Sequence, residues 1–163
     1  METLWSELAH LWVPALRLVL VLLAGGLIGW EREAADKTAG LRTHTMVGLG
    51  AALFTLAAQR VLQTSAVGDP TRIMAGIAQG IGFLGAGTIL KERQRIRGLT
   101  TAATIWMMGA LGMAWGMGAY GLATVATLAT FVVLRPFKRL ERAARPRGGR
   151  AASGGGAAKG EEG

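Results

Sequence analysis

Long apolar runs separated by short charged segments form the main pattern of the chain. Residues 12–30 are apolar except for Arg17, and residues 43–59 and 73–90 carry no charged side chain. At about 1.5 Å per residue, each run with its flanks is long enough for a helix that crosses a hydrocarbon core of about 30 Å. These three runs therefore predict three transmembrane helices.

The first run carries the features expected of a membrane span. Trp12 and Trp30 stand at its two ends, as interfacial aromatic residues do. Pro14 is expected in the first helical turn, where its missing N–H has little cost. Arg17 lies about one turn inside and is expected to reach back toward the headgroups.

The last apolar run, residues 98–134, is uncharged throughout. As a single helix it would be about 55 Å long, which exceeds one crossing. The glycine-rich stretch 116–121 is the natural break, so the pattern predicts a fourth and a fifth span. We therefore expect an all-α fold, a polytopic transmembrane helix bundle of five spans.

Lysine and arginine concentrate in three of the segments between and after the runs. The first connection holds Arg32, Lys37 and Arg42, the third holds Lys91, Arg93, Arg95 and Arg97, and six more follow from Arg135 to Arg147. The intervening connection offers only Arg60 and Arg72. The positive-inside rule then predicts an N-terminus outside and a C-terminus in the cytoplasm, an agreement that a four-span topology would break.

Composition narrows the class of protein. The net charge is +8, but the cations lie between apolar runs rather than along polar faces, so a nucleic-acid partner is not predicted. The chain has no cysteine, which excludes disulfides and thiolate metal sites. The acidic start does not resemble a secretory signal. We expect a membrane domain over residues 1–140 and a basic, glycine-rich, disordered cytoplasmic tail over residues 141–163.

The stretch GIGFLGAG at residues 80–87 matches the glycine pattern of a dinucleotide-binding loop. The residues before it are not strand-like and no carboxylate follows about 20 positions on, so a nucleotide cofactor is not predicted, nor is any other cofactor. The alternative is close helix packing through small residues. The packing glycines expected on the first and third spans are Gly25, Gly29, Gly76, Gly80, Gly82, Gly85 and Gly87. Gly109, Gly112 and Gly116 repeat the pattern on the fourth.

Residues 29–45 and 89–104 resemble one another. Each contains Glu-Arg after an apolar run, a short linker, and Gly-Leu-x-Thr before the next run. Both linkers fall on the cytoplasmic side, so the echo predicts a parallel duplication in which spans one and two correspond to spans three and four. Chance similarity is the alternative.

The echo predicts a polar cluster between the two halves, because carboxylates there meet helix N-termini that carry partial positive charge. Its predicted members are Glu31, Arg42, Thr43, Thr45, Glu92, Arg97, Thr100, Thr101 and Thr104. Arg42 is expected to pair with Glu31, although a salt bridge from Glu31 to Arg32 or Lys37 is an alternative. Thr43 and Thr101 are expected to cap their helices. Asp69 and Arg72 form a separate outer-loop motif, and no metal-ligand set is assigned.

Five ordered motifs carry a resemblance to a known family. GLIGWERE, AGLRTHTMVGLGAALF, DPTRI, GIGFLGAGTI and RGLTTAATIW together resemble the MgtC/SapB family of bacterial inner-membrane proteins, over about residues 25–120. The resemblance implies a multi-pass protein of the bacterial inner membrane with about five spans. It also implies a link to growth at low magnesium and, in some members, to survival inside macrophages and restraint of the ATP synthase. Some members continue into a soluble regulatory domain, which this sequence does not resemble after Arg135.

Two functions remain open at this point. One is a regulator that binds another membrane protein, such as the ATP synthase, or a second copy of itself as a homodimer, because small residues favour helix association. The alternative is a transporter of magnesium or another ion, which is weakened by the lack of a carboxylate at mid-membrane. Enzymatic activity is not predicted, since no catalytic set is apparent and His44 is interpreted as a polar end group. The bilayer itself is the first expected partner.

Overall fold

The structure, a computed structural model, describes residues 2–64, 69–92 and 95–135. These residues form five helices and one two-stranded hairpin. The elements are α1 (Glu2–Ala34), α2 (Leu41–Thr64), α3 (Pro70–Ala86), β1 (Leu90–Glu92), β2 (Arg95–Arg97), α4 (Leu99–Met117) and α5 (Tyr120–Leu134). The predicted tail, residues 141–163, lies outside the described residues.

Helices α2 and α4 begin at the same end of the bundle, where α1 ends. The His44 ring near the start of α2 contacts the Thr104 hydroxyl near the start of α4. The Gly29 backbone, late in α1, lies against Leu41 at the start of α2. We call this the polar end, the end that carries His44 and Thr104. Helices α2 and α4 thus run parallel to each other and antiparallel to α1.

Helices α3 and α5 also finish at the polar end. Gly85, near the end of α3, lies against the backbone of Ala102 in α4. The Arg135 guanidinium, just after α5, lies over the Trp30 ring at 5.1 Å from its centroid. Arg32, the β1–β2 hairpin and Arg135 therefore lie at one end of the described bundle, while their side of a membrane stays a prediction.

Arg17 joins the helices at the opposite end of the bundle, which we call the Arg17 end. The Arg17 NH1 group donates to the Gly116 carbonyl at 2.8 Å and to Gln59 Oε1 at 3.1 Å, and Nε donates to the Tyr120 hydroxyl at 3.4 Å. These bonds tie α1 to α2, α4 and α5. Arg17 therefore turns toward the bundle as well as toward its surface.

The outer surface is apolar, as expected of a protein that faces lipid. Large hydrophobic side chains are exposed on every helix. Examples are Leu23 on α1, Phe54 on α2, Phe83 on α3, Trp106 on α4 and Val125 on α5. Two segments, Leu11–Ala34 and Leu41–Thr64, are long and apolar enough to cross a membrane, and Tyr120–Leu134 is a shorter apolar helix. Five complete spans and the parallel repeat remain predictions.

Three local features differ from the sequence-based expectations or refine them. Helix α1 begins at Glu2, so Pro14 lies in its interior rather than in its first turn. Helix α3 ends at Ala86, and the basic segment after it forms a hairpin that was not predicted. The expected break in the last apolar run is present, because Gly118 adopts a φ of 83°, a left-handed conformation that favours glycine and ends α4.

The glycines divide into two groups. Gly25 and Gly29 bring the α1 backbone against α2, and a Cβ at Gly29 would lie 2.7 Å from Leu41 Cα. Gly76, Gly80 and Gly82 have no neighbour within 4 Å of an added Cβ, so their packing role stays a prediction. Gly76 and Gly80 lie one helical turn apart on a face of α3 that no other described helix covers. Gly87 contacts only the end of its own helix.

Candidate functional site at the polar end

A buried ion pair marks the end of α1. Glu31 is 5% exposed and Arg32 is 2% exposed. Arg32 Nε donates to Glu31 Oε2 at 2.5 Å, and its NH2 group contacts the same oxygen. Buried charges are costly unless they are paired, so each of these two residues depends on the other.

His44 lies beside this pair and is fully buried. Its Nδ1 is 2.8 Å from the Gly40 carbonyl, to which it donates, because a carbonyl can only accept. Its Nε2 is 3.0 Å from Thr104 Oγ1, and that hydroxyl lies 2.8 Å from the Thr101 carbonyl. One hydroxyl proton serves two acceptors. When the ring is neutral, Nε2 accepts a hydrogen bond from the Thr104 hydroxyl. When the ring is doubly protonated, Nε2–H donates to Thr104 Oγ1, and the hydroxyl donates to the Thr101 carbonyl.

Three helices thus contribute to one cluster at the polar end. The α1–α2 contact joins the Glu31–Arg32 end of α1 to His44, because Gly25 of α1 lies against the His44 carbonyl and Gly29 against Leu41. Thr101 and Thr104 approach it from α4 and are both buried. We call these five residues the polar cluster: Glu31, Arg32, His44, Thr101 and Thr104.

The connection between α1 and α2 holds this cluster in place. Glu33 Oε2 accepts a hydrogen bond from the Leu41 N–H at 2.9 Å, so Glu33 satisfies a donor at the start of α2. A Cβ at Gly40 would lie 2.6 Å from that same oxygen, so the Glu33 side chain lies close against the connection. This short connection, anchored by Glu33, places the Gly40 carbonyl where His44 Nδ1 donates to it.

The structure brings together only part of the predicted cluster. Glu31, Thr101 and Thr104 are buried in it, whereas Thr45 is half-buried beside Gly25. The exposed members are Arg42, Thr43, Thr100 and Arg97, the last of which lies in β2. Glu92 lies in β1, and its side chain is outside the described part of the chain.

Two specific expectations are corrected. Glu31 pairs with Arg32 rather than with Arg42, because residue 32 already places a guanidinium on the same carboxylate. Thr43 and Thr101 do not cap their helices, since each lies two residues after the helix start. Gly98 occupies the cap position of α4 without a side-chain hydrogen bond.

His44 and Glu33 are the functional candidates that sequence reasoning missed. The buried positions of α2 are His44, Gly48, Ala51, Ala52 and Thr55, which recur at helical spacing. This stripe of small residues was the available signal, because it places His44 on the face that packs inward. The capping role of Glu33 had no comparable signal.

The predicted outer-loop motif is a helix start. Asp69 Oδ1 accepts from the Thr71 N–H at 2.9 Å and from the Thr71 hydroxyl at 2.6 Å, and Pro70 follows at the first helical position. These hydrogen bonds lower the pKa of the Asp69 carboxyl below its ordinary value. Arg72 is exposed on α3. The motif is thus explained by the local structure of α3.

The polar cluster can do two things chemically: it pairs the opposite charges of Glu31 and Arg32, and it positions a proton between His44 and Thr104. Within residues 2–64, 69–92 and 95–135, no group of three or more histidine or acidic side chains is placed to hold a metal ion. The cluster links the C-terminal turn of α1 to the first turns of α2 and α4. A change in its charge state would act on all three helices.

Comparisons with known proteins identify relatives of this chain. The chain is 46% identical over 130 residues to the "Putative magnesium transporter YhiD" of Escherichia coli strain K12, covering 77% of this chain and 60% of that protein. It is 47% identical over 135 residues to the protein MgtC of Brucella abortus strain 2308, covering 81% and 54%. It is 42% identical over 139 residues to the protein SrpB of Synechococcus elongatus, covering 78% and 76%.

The chain therefore spans a little over half the length of the first two of these relatives. No solved structure matches it. The family model described as the MgtC family matches residues 18–143, which include the polar cluster, the hairpin and all of helices α2 to α5. The chain belongs to the MgtC family.

Proposed function

We propose that this protein is a multi-pass protein of the bacterial inner membrane that supports adaptation to low magnesium by regulating another membrane protein. The magnesium link rests on the name of the Escherichia coli relative and on the family resemblance. The regulatory role goes further and is argued from the packing of the bundle.

The observation that carries the proposal is the closed layer between the two ends of the bundle. Gly112 lies so close to α2 that an added Cβ would be 2.3 Å from the Gly48 carbonyl oxygen. One turn earlier, Met108 and Val21 fill the space over Gly48. Helices α1, α2 and α4 thus pack closely here, with apolar side chains between them. Such packing favours a scaffold that binds a partner over a protein that conducts a hydrated ion.

The uncovered face of α3 supplies a surface for helix association. Gly76 and Gly80 lie one helical turn apart, and both are open to an approaching backbone. Small residues at this spacing allow transmembrane helices to approach closely. Met46, Phe54 and Leu84 line the adjoining groove of about 620 Å³ between α2 and α3. The ATP synthase, which the family resemblance implies, is the first partner to test.

A photo-crosslinking amino acid at Phe83 tests the proposal in cells grown at low magnesium. Phe83 is exposed on α3, and an equally labelled chain with the crosslinker at Val125 on α5 is the matched control. The proposal predicts an adduct with one membrane protein from position 83 and not from position 125. It also predicts that Gly80→Leu abolishes both the adduct and the growth that the protein restores at low magnesium.

Two results would count against it. In the first, the Gly80→Leu variant fully restores growth at low magnesium. In the second, positions 83 and 125 form adducts with the same set of abundant proteins. Magnesium transport is the second candidate function, favoured by the name of the Escherichia coli relative and by the charged groups of the polar cluster. It predicts magnesium uptake by the purified protein alone.

A further inference from the structure

The hairpin between α3 and α4 leaves the bundle from a fixed root. The Thr88 hydroxyl donates to the Gly85 carbonyl at 2.7 Å, which holds the chain against the end of α3. Gly98 closes the other side with a φ of 91°, and a Cβ there would lie 2.0 Å from the Thr88 carbonyl oxygen. Only glycine fits this close approach. The two ends of the hairpin therefore meet directly above the helix ends.

Polarity changes along the hairpin, from its root outward. Leu90 pairs with Arg97, Lys91 with Ile96, and Glu92 with Arg95. The first two pairs each set an apolar side chain beside a cation, and the last pair is charged on both strands. Leu90 and Ile96 are 59% and 60% exposed. Apolar side chains thus occur only in the two pairs nearest the root, each opposite a cation whose long side chain can extend outward, an arrangement that suits the step from acyl chains to headgroups.

The position of the hairpin also indicates that it lies at the level of the lipid headgroups. Its root continues the apolar outer surface of the helices, where Leu84 and Leu99 are also exposed. The Trp30 ring and the Arg135 guanidinium mark the same end of the bundle. Aromatic residues concentrate at the level of the headgroups, and cations favour the anionic cytoplasmic surface.

We infer that the β1–β2 hairpin is a binding element for anionic lipid headgroups. Leu90 and Ile96 enter the acyl edge, while Lys91 and Arg95 reach the phosphates. Among the described hairpin residues, three cations stand against one carboxylate. A lipid surface satisfies both the exposed apolar side chains and the charge, whereas an acidic soluble partner would satisfy only the charge.

A single labelled position tests the inference, because the natural chain has no cysteine. Ile96→Cys carries a polarity-sensitive dye, and the full chain is reconstituted in vesicles with the same composition in both leaflets. The emission is expected to shift to the blue as phosphatidylglycerol replaces phosphatidylcholine. Lys91→Gln with Arg95→Gln should remove most of this shift, because each cation near the surface contributes about 1 kcal/mol, or about fivefold in affinity for the anionic headgroups.

Matched controls separate lipid binding from general charge effects. The same dye at Thr38→Cys, on the exposed α1–α2 connection, should show a much smaller shift. Arg60→Gln with Arg72→Gln removes two exposed cations away from the hairpin and should leave the Ile96→Cys response unchanged. An equal emission in both lipids, an equal response of the Lys91→Gln/Arg95→Gln variant, or a shift reproduced by inorganic phosphate with phosphatidylcholine vesicles would overturn the inference.

Discussion

Two connections at the polar end share a sequence pattern and differ in structure. Between α1 and α2, the Glu-Arg pair lies within the last turns of the helix and is buried. Between α3 and α4, the corresponding Glu92 lies in a strand, beyond the end of the helix. The first connection forms an interior charge pair, and the second presents its cations on the surface.

The difference shows that the position of the helix end decides what a shared motif does. Helix α1 continues through Glu31, Arg32 and Ala34, which all have high helix propensity. Helix α3 stops at Ala86 with Gly87 as its C-cap, and β-branched residues follow. The Glu-Arg pair is therefore placed inside the bundle in the first half, whereas in the second half Glu92 falls in a strand beyond the helix end.

The largest expected effect is at the buried charge pair. Glu31→Gln leaves Arg32 buried without a carboxylate, which costs about 3–5 kcal/mol of the free energy of unfolding. Thermal unfolding of the purified protein in detergent measures this loss, and growth at low magnesium should be lost with it. Glu33→Gln keeps an oxygen that can accept from Leu41 and should have a smaller effect on both.

A second substitution distinguishes charge from shape at this pair. The double variant Glu31→Gln/Arg32→Gln removes both charges, so it should regain much of the stability lost by Glu31→Gln alone. Glu92→Gln, at the equivalent place in the second connection, should leave unfolding nearly unchanged. If Glu31→Gln and Glu92→Gln destabilise equally, the contrast between the two connections is wrong.

A glycine comparison is expected to give effects of opposite sign. Gly29→Ala places a Cβ 2.7 Å from Leu41 Cα, and forcing the α1 and α2 backbones apart costs about 1–3 kcal/mol. Gly80→Ala meets nothing within 4 Å and should stabilise α3 by up to about 1 kcal/mol through helix propensity. Unfolding temperatures measured side by side test this. A destabilised Gly80→Ala monomer would mean that α3 packs differently from the structure.

An effect comparable to that of Gly29→Ala concerns the hydrogen bond between α2 and α4. Thr104→Val keeps the shape of the side chain but removes the partner of His44 Nε2, at a cost of about 1–3 kcal/mol. Thr100→Val changes an exposed threonine on the same helix and should stay within about 0.5 kcal/mol of the parent chain. Equal unfolding temperatures for the two variants would show that the bond contributes nothing to stability.

Much of the helical layout follows from hydrophobic patterning. The break at Gly118 was accessible, because glycine is a strong local signal. The end of α3 was not predictable from this pattern, since residues 87–90 are as uncharged as residues 73–86 before them. Its position depends on Gly98 meeting the Thr88 carbonyl, a contact between residues ten apart that no periodicity reveals.

The candidate site was predictable only in part. Glu31, Thr101 and Thr104 were identified because the echo drew attention to the helix ends. Their partners Arg32 and His44 depend on which face of each helix turns inward, which is set by the contact between α1, α2 and α4. The exposed members, such as Arg42 and Thr100, have the same residue types but point to the other face.

The most direct test of the central claim, a closed bundle that regulates rather than conducts, is magnesium uptake into liposomes. Purified protein is reconstituted with a fluorescent magnesium indicator inside the vesicles, and protein-free vesicles are run in parallel. The account predicts equal uptake rates in both preparations. Uptake that requires the protein and saturates with external magnesium would contradict it.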